Sequence, residues 1–201
     1  MSGNGRRGAW GWHPLRPDWA DRIVAESGAG PGDLVFDLGA GTGALTLPLI
    51  EAGAEVVAIE LHPGRVRQLR TLVRGRAKVV QADLGEFYVP SRPFRVVANP
   101  PYGLTTHLVR TLLAARGLRS ADLVLQRGAA RGLSRRPPMP ARSAGPSGGL
   151  RWSCRVGRHV PAAAFVVPPS VDSAVLQIRP LSVPRGAVPP ATPRRVISRR
   201  R

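Results

Sequence analysis

The sequence predicts an α/β protein built on a doubly wound, mostly parallel sheet, and three observations carry that expectation. Short apolar runs alternate with amphipathic helical patterns between Leu34 and Gln126. A glycine-rich turn, Gly39-Ala40-Gly41-Thr42-Gly43, follows the first of those runs. A later run, Val96-Val97-Ala98, stops abruptly at Asn99-Pro100-Pro101-Tyr102. Strands separated by helices imply right-handed crossover units. Open sheets of that kind bind ligands beyond the carboxyl ends of their strands.

The elements follow in order. Residues 17–28 read as a helix, with Pro17 suited to a first turn, Trp19, Ile23 and Val24 on one face, and Gly28 as a stop. Residues 34–38 form a strand; the glycine turn then opens a helix to about Gly53, which Pro48 is expected to bend. A strand over 55–60 precedes a helix over 63–75, whose Val66, Leu69 and Val73 share a side. Residues 77–83 and 94–98 are the next strands. Thr105 or Thr106 is expected to cap a helix running through Leu108, Leu112 and Leu113 to Gly117, and 122–126 is a fifth strand.

Beyond Gln126 the pattern changes. Residues 127–150 carry Pro137, Pro138, Pro140 and Pro146 among Gly, Ser and Arg, and are expected to form an irregular basic insert rather than a helix. Order resumes over 151–160 and 165–179, with 173–179 a strand placed as the antiparallel edge of the sheet. The resulting division is a basic arm over 1–12, one domain over 13–180, and a Pro/Arg-rich tail over 181–201.

Charge narrows the partners. The net charge is +18, and residues 127–201 hold 15 basic side chains against one acid, Asp172. Nearly all of the basic residues are arginine, which binds phosphate bidentately and stacks on bases. Nucleic acid is the first partner to consider, although GC-rich coding also raises arginine. One cysteine, Cys154, excludes a disulfide framework, and four scattered histidines suggest no metal. There is no export signal and no span for a membrane, so a cytoplasmic protein, and a monomer, is expected.

The motifs sit at strand ends. Glycines at Gly39 and Gly41 after Asp37 let backbone approach a ligand, and the missing Gly-Lys-Ser/Thr excludes a P-loop. Glu60 ends the second strand, where an acid suits two ribose hydroxyls. To that point a nicotinamide cofactor and S-adenosylmethionine both fit. Asp83 ends the third strand, placed to accept from an adenine amino group, and Asn99-Pro-Pro-Tyr102 ends the fourth. That corner offers an amide, proline carbonyls without donors beside them, and a ring, which suits a planar base with an exocyclic amine. Together they favour S-adenosylmethionine.

At this point the chain resembles the S-adenosylmethionine-dependent rRNA adenine N6-methyltransferases, and most of all the short actinobacterial members of their erythromycin-resistance (Erm) branch. The blocks that carry it are residues 11–15, 37–43, Glu60, Asp83, 99–102, 122–127 and Phe165-Val-Val-Pro-Pro-Ser-Val-Asp-Ser-Ala-Val175. The resemblance implies a Rossmann-like class I methyltransferase fold without the C-terminal helical domain of longer relatives. It implies S-adenosylmethionine held by His13, Leu15, Asp37, Gly39, Gly41, Glu60, Asp83 and Asn99, with catalysis at Asn99, Pro100 and Tyr102. Tyr102 and Phe165 would stack on an unpaired adenine of 23S rRNA, and the outcome would be macrolide, lincosamide and streptogramin B resistance; the alternatives are a small-subunit rRNA adenine dimethylase, a DNA adenine methyltransferase, and a non-catalytic RNA-binding or ribosome-assembly factor. Pro14 departs from the family's usual Asn-Phe-Leu.

Overall fold

A computed structural model describes residues 13–87, 89–138 and 152–181. The arm over 1–12, most of the proline-rich segment and all of the tail except Leu181 lie outside the described residues.

Among them one seven-stranded sheet has the order β3-β2-β1-β4-β5-β7-β6. Its strands are β1 (Leu34–Leu38), β2 (Glu55–Glu60), β3 (Lys78–Gln81), β4 (Phe94–Ala98), β5 (Leu118–Gln126), β6 (Trp152–Val160) and β7 (Ser173–Pro180). The first five pair in parallel, and β7 runs antiparallel to both β5 and β6. The chain winds outward from β1 to β3, then returns to β4 on the other side of β1. The strand order therefore reverses between β1 and β4, where a crevice opens at the carboxyl ends.

The strands bury both faces. Phe36, Phe94, Val96, Leu123 and Leu176 pack on one side with Leu108 and Leu112 of α4 (Thr105–Ala114). Val35, Val97, Val124 and Val175 pack on the other with Ile23 and Val24 of α1 (Pro17–Ser27) and Leu49 of α2 (Thr46–Glu51). Adjacent Val96 and Val97 fall in opposite clusters, which is why the run reads as continuously apolar. Leu69 and Val73 of α3 (Pro63–Val73) close over Ala58.

Four expectations are corrected. The 173–180 strand is interior; β6 is the edge, its polar Arg155, Arg158 and His159 suiting a half-solvated border. Residues 127–135 form a helix, α5 (Arg127–Arg135), because the first proline comes only at Pro137 and Ala130 and Leu133 supply a buried stripe against β6 and β7. Pro48 is the third residue of α2, in the first turn, where a backbone N–H has no helical partner to lose, so it bends nothing. Thr105 is no N-cap: its hydroxyl donates to the Tyr102 carbonyl, and the helix begins from a short 3-10 turn over Tyr102–Leu104.

Candidate active site

The glycine turn is shaped by backbone that only glycine adopts easily. Gly39, Gly41 and Gly43 have φ of 81°, 58° and 95°. Gly39 N and Ala40 N both donate to the Ile59 carbonyl, which ties the turn to β2. A Cβ on Gly39 would stand 3.1 Å from Pro101 Cδ and 3.5 Å from Pro100 Cα, so the Asn-Pro-Pro corner rests directly on this glycine. An open cleft of about 750 Å³ lies beside them.

All eight residues expected to hold the cofactor line that cleft: His13, Leu15, Asp37, Gly39, Gly41, Glu60, Asp83 and Asn99. Their contacts explain their orientations. Glu60 accepts from Gly41 N on Oε2 and from His62 N on Oε1, each at 2.8 Å, with Arg65 also on Oε1 at 3.4 Å. Asp83 accepts from Gly85 N on Oδ1 at 2.8 Å and so caps a 3-10 turn, while its exposed side chain keeps a second oxygen for the cleft. Asn99 donates through Nδ2 to the His13 carbonyl at 2.8 Å. A carbonyl can only accept, so this contact sets the amide's orientation and leaves Oδ1 with no protein donor among the described residues.

Asp37 is 1% exposed and accepts from the Thr46 hydroxyl at 2.6 Å. Burial pushes its carboxyl from 3.8 up to about 7; the Thr46 bond opposes the rise and the Glu60 charge adds to it. A folded-state value above the unfolded one favours folding fully below about 3.9, and that contribution is lost as pH rises through about 7. The ligand-free protein is therefore expected to lose stability across that window, and Asp37→Asn to flatten the loss, measured as the urea midpoint against pH.

The three other site residues lie outside the cleft lining. Pro100 is buried, and no donor among the described residues reaches its carbonyl. Tyr102 is half-buried, its hydroxyl hydrogen-bonded to Ser173 Oγ at 2.9 Å and its ring stacked on His13 at 5.7 Å and 20°. Phe165 corrects the expectation of a stacking platform: it is 1% exposed, packed in the core with Leu15 and Val175 and edge-on to His13, so it has no face for a base.

Sequence distance hides how closely three blocks meet. Arg16 N donates to Ala164 O and Val166 N to Pro14 O, zipping residues 14–16 against 164–166. His13 then reaches Asn99 through its carbonyl and Val167 through Nδ1. Leu61 and Leu84, which no motif singles out, also line the cleft. Each directly follows an acid at the carboxyl end of a strand region, Glu60 or Asp83, and that adjacency is the sequence signal for it.

This is the fold of a Rossmann-like methyltransferase, with the cleft at its strand-order reversal. The chain belongs to the ribosomal RNA adenine dimethylase family, whose model matches residues 16–185, and the family is one of S-adenosylmethionine-dependent methyltransferases. It is 31% identical to the ribosomal RNA small subunit methyltransferase A of Pseudomonas putida, over 81% of this chain and 64% of that protein. It is 32% identical to the mycinamicin-resistance protein MyrB of Micromonospora griseorubida, over 81% of this chain and 50% of that protein. The crystal structure of the 23S rRNA methyltransferase ErmE superposes with a TM-score of 0.71 at 27% identity, covering 84% of this chain and 70% of that one. The chain thus spans about half to two thirds of the length of these curated relatives.

The residues fit S-adenosylmethionine. Asp37, Glu60 and Asp83 provide carboxyl groups for a cationic, hydroxylated ligand, Gly39 and Gly41 bring bare backbone to the wall of the cleft, and Leu61 and Leu84 add apolar faces. Among the described residues no cluster of His, Cys, Asp and Glu could hold a metal, and no helix is long and apolar enough to cross a membrane.

Proposed function

We propose that this chain methylates N6 of an unpaired adenine in 23S rRNA, and that the modified base confers macrolide, lincosamide and streptogramin B resistance. The observation that carries the reading is Asn99: its Nδ2 is tied to the His13 carbonyl, so its Oδ1 is left as an acceptor at a cleft lined by three carboxyl residues. Glu60 would hold the ribose hydroxyls of S-adenosylmethionine, Asp83 its adenine amino group, and His13 and Leu15 its methionine end. When bound, that cofactor supplies an electrophilic methyl group.

The protein's own work is on the target amine. Its lone pair is delocalised into the purine ring and attacks poorly. Asn99 Oδ1 and the Pro100 carbonyl would accept its two hydrogens, hold them out of the ring plane and so localise the lone pair. Their dipoles also stabilise the positive charge that develops on nitrogen. That charge makes the nitrogen acidic, so its proton passes to solvent without a dedicated base. Tyr102, braced by Ser173, would stack on the base. A purine already outside a helix costs least to bring there.

The choice of the large subunit rests on the block from Phe165 to Val175 and on the likeness to MyrB and ErmE. A second reading, a small-subunit adenine dimethylase, is favoured by the relative from P. putida. Methyl transfer from labelled S-adenosylmethionine to protein-free 23S and 16S rRNA separates them. Label is expected in an unpaired adenine of the 23S species. Label confined to 16S selects the second reading, and RNA binding without label in either sinks both.

A further inference from the structure

Seven large apolar side chains are exposed among the described residues, and three of them, Val166, Val167 and Val171, fall in one six-residue loop at 62%, 44% and 47% exposure. Scattered surface valines mean little, but three in one loop whose backbone holds the cleft residue His13 call for a partner. This ridge is held stiffly. Pro168 and Pro169 restrict its centre, and Val166 N donates to the Pro14 carbonyl at 2.8 Å. At its far end the Asp172 carboxylate accepts from Ala162 N and pairs with His159, each at 2.9 Å. The loop also frames the base platform: His13, stacked on Tyr102, is bonded to the Val167 carbonyl, and Ser173 holds the Tyr102 hydroxyl.

A basic track starts where the ridge ends. Arg127 N donates to the Asp172 carbonyl, and α5 then presents Arg127, Arg131 and Arg135 one turn apart, all exposed. Gly128 and Gly132 lie beside them, with nothing within 4 Å of where a Cβ would stand. Like charges at that spacing repel, and α5 itself holds no acid; Asp172 offsets only the first, Arg127, which leaves the track suited to a polyanion. An apolar ridge next to an arginine track matches one chemistry, a structured nucleic-acid strand whose bases are parted while its phosphates are gripped.

We propose that Val166, Val167 and Val171 form a wedge that holds open the RNA stack from which the target adenine leaves, while the arginines of α5 grip the flanking phosphates. This rests on the adenine-methylating reading above. The three valines are positioning residues and touch neither the methyl group nor the amine.

The test compares two RNAs with the full chain: protein-free rRNA of the species it labels, and a short unstructured oligonucleotide with the same sequence around the adenine. The variant V166S/V167S/V171S removes exposed side chains and keeps the backbone bond to Pro14. Its kcat/KM is expected to fall about tenfold on the structured RNA and to change less than about twofold on the oligonucleotide, where nothing needs parting. With 2-aminopurine in place of the adenine, the fluorescence rise on binding structured RNA should be lost in this variant and kept in Asn99→Ala. R131E should weaken binding to both RNAs and reduce the salt slope by about one contact. Equal losses on the two RNAs, or no loss on either, overturn the wedge and would assign the ridge to a different partner. No transfer to either RNA by the unaltered chain overturns the methyl-transfer reading, and the wedge with it.

Discussion

Asn99→Ala is expected to lower methyl transfer by about 10²–10³-fold or more while S-adenosylmethionine affinity falls far less. Two effects combine. The substitution deletes the Oδ1 acceptor that would hold one amine hydrogen, and it strips the His13 carbonyl of the donor that fixes the N-terminal segment. Asn99→Asp separates the two effects. It restores an acceptor at the cleft, but turns a second carboxylate oxygen against the His13 carbonyl, where two acceptors repel at a spacing now filled by a 2.8 Å hydrogen bond. Loss of activity in both variants would mean that a correctly anchored amide is needed, not just an oxygen. The measurement is single-turnover transfer to rRNA alongside equilibrium cofactor binding. Near-normal transfer by Asn99→Ala would remove Asn99 from catalysis altogether.

Much of this site can be read from residue order because its parts lie at predictable strand ends. A parallel strand buried on both faces is a short apolar run, and Asp37 is the last residue but one of its strand, Glu60 the last, and Asn99 the next one after it. Asp83 lies two residues past β3. What the order of residues does not reveal is partnership across the chain. Phe165 and Tyr102 are both aromatic residues in family blocks, yet the first is buried by the ribbon of residues 14–16 and 164–166, and the second is held half-buried by Ser173. The helix α5 was hidden for a related reason. Its arginines and glycines look like solvated loop, and only packing of Ala130 and Leu133 against β6 and β7 reveals a face. The position of β7 inside the sheet depends on β6, whose polar side chains read weakly as a strand.

Glu60→Gln, nearly isosteric, is expected to damage the site more than its size suggests. The two carboxylate oxygens both accept: Oε2 from Gly41 N and Oε1 from His62 N, in a side chain only 5% exposed. Glutamine has one oxygen and one NH2. Whichever way its amide turns, the NH2 meets a backbone N–H, donor against donor, and that buried amide loses its partner. The cost is about 1–3 kcal/mol of stability, read as a lower urea midpoint. If the NH2 faces Gly41, the glycine turn loses the bond that holds its second left-handed residue, at φ 58°. If it faces His62, the start of α3 loosens, because His62 caps that helix through its side chain. Either orientation also replaces one of the two acceptors suited to the ribose hydroxyls. S-adenosylmethionine affinity should then fall about 10–100-fold, equivalent to about 1.4–2.8 kcal/mol, measured by calorimetric titration. Undiminished affinity in Glu60→Gln would place the ribose elsewhere and take with it the orientation of the cofactor along the cleft, since Glu60 ends β2, between the β3 side that carries Asp83 and the β1 and β4 side that carries Asp37 and Asn99.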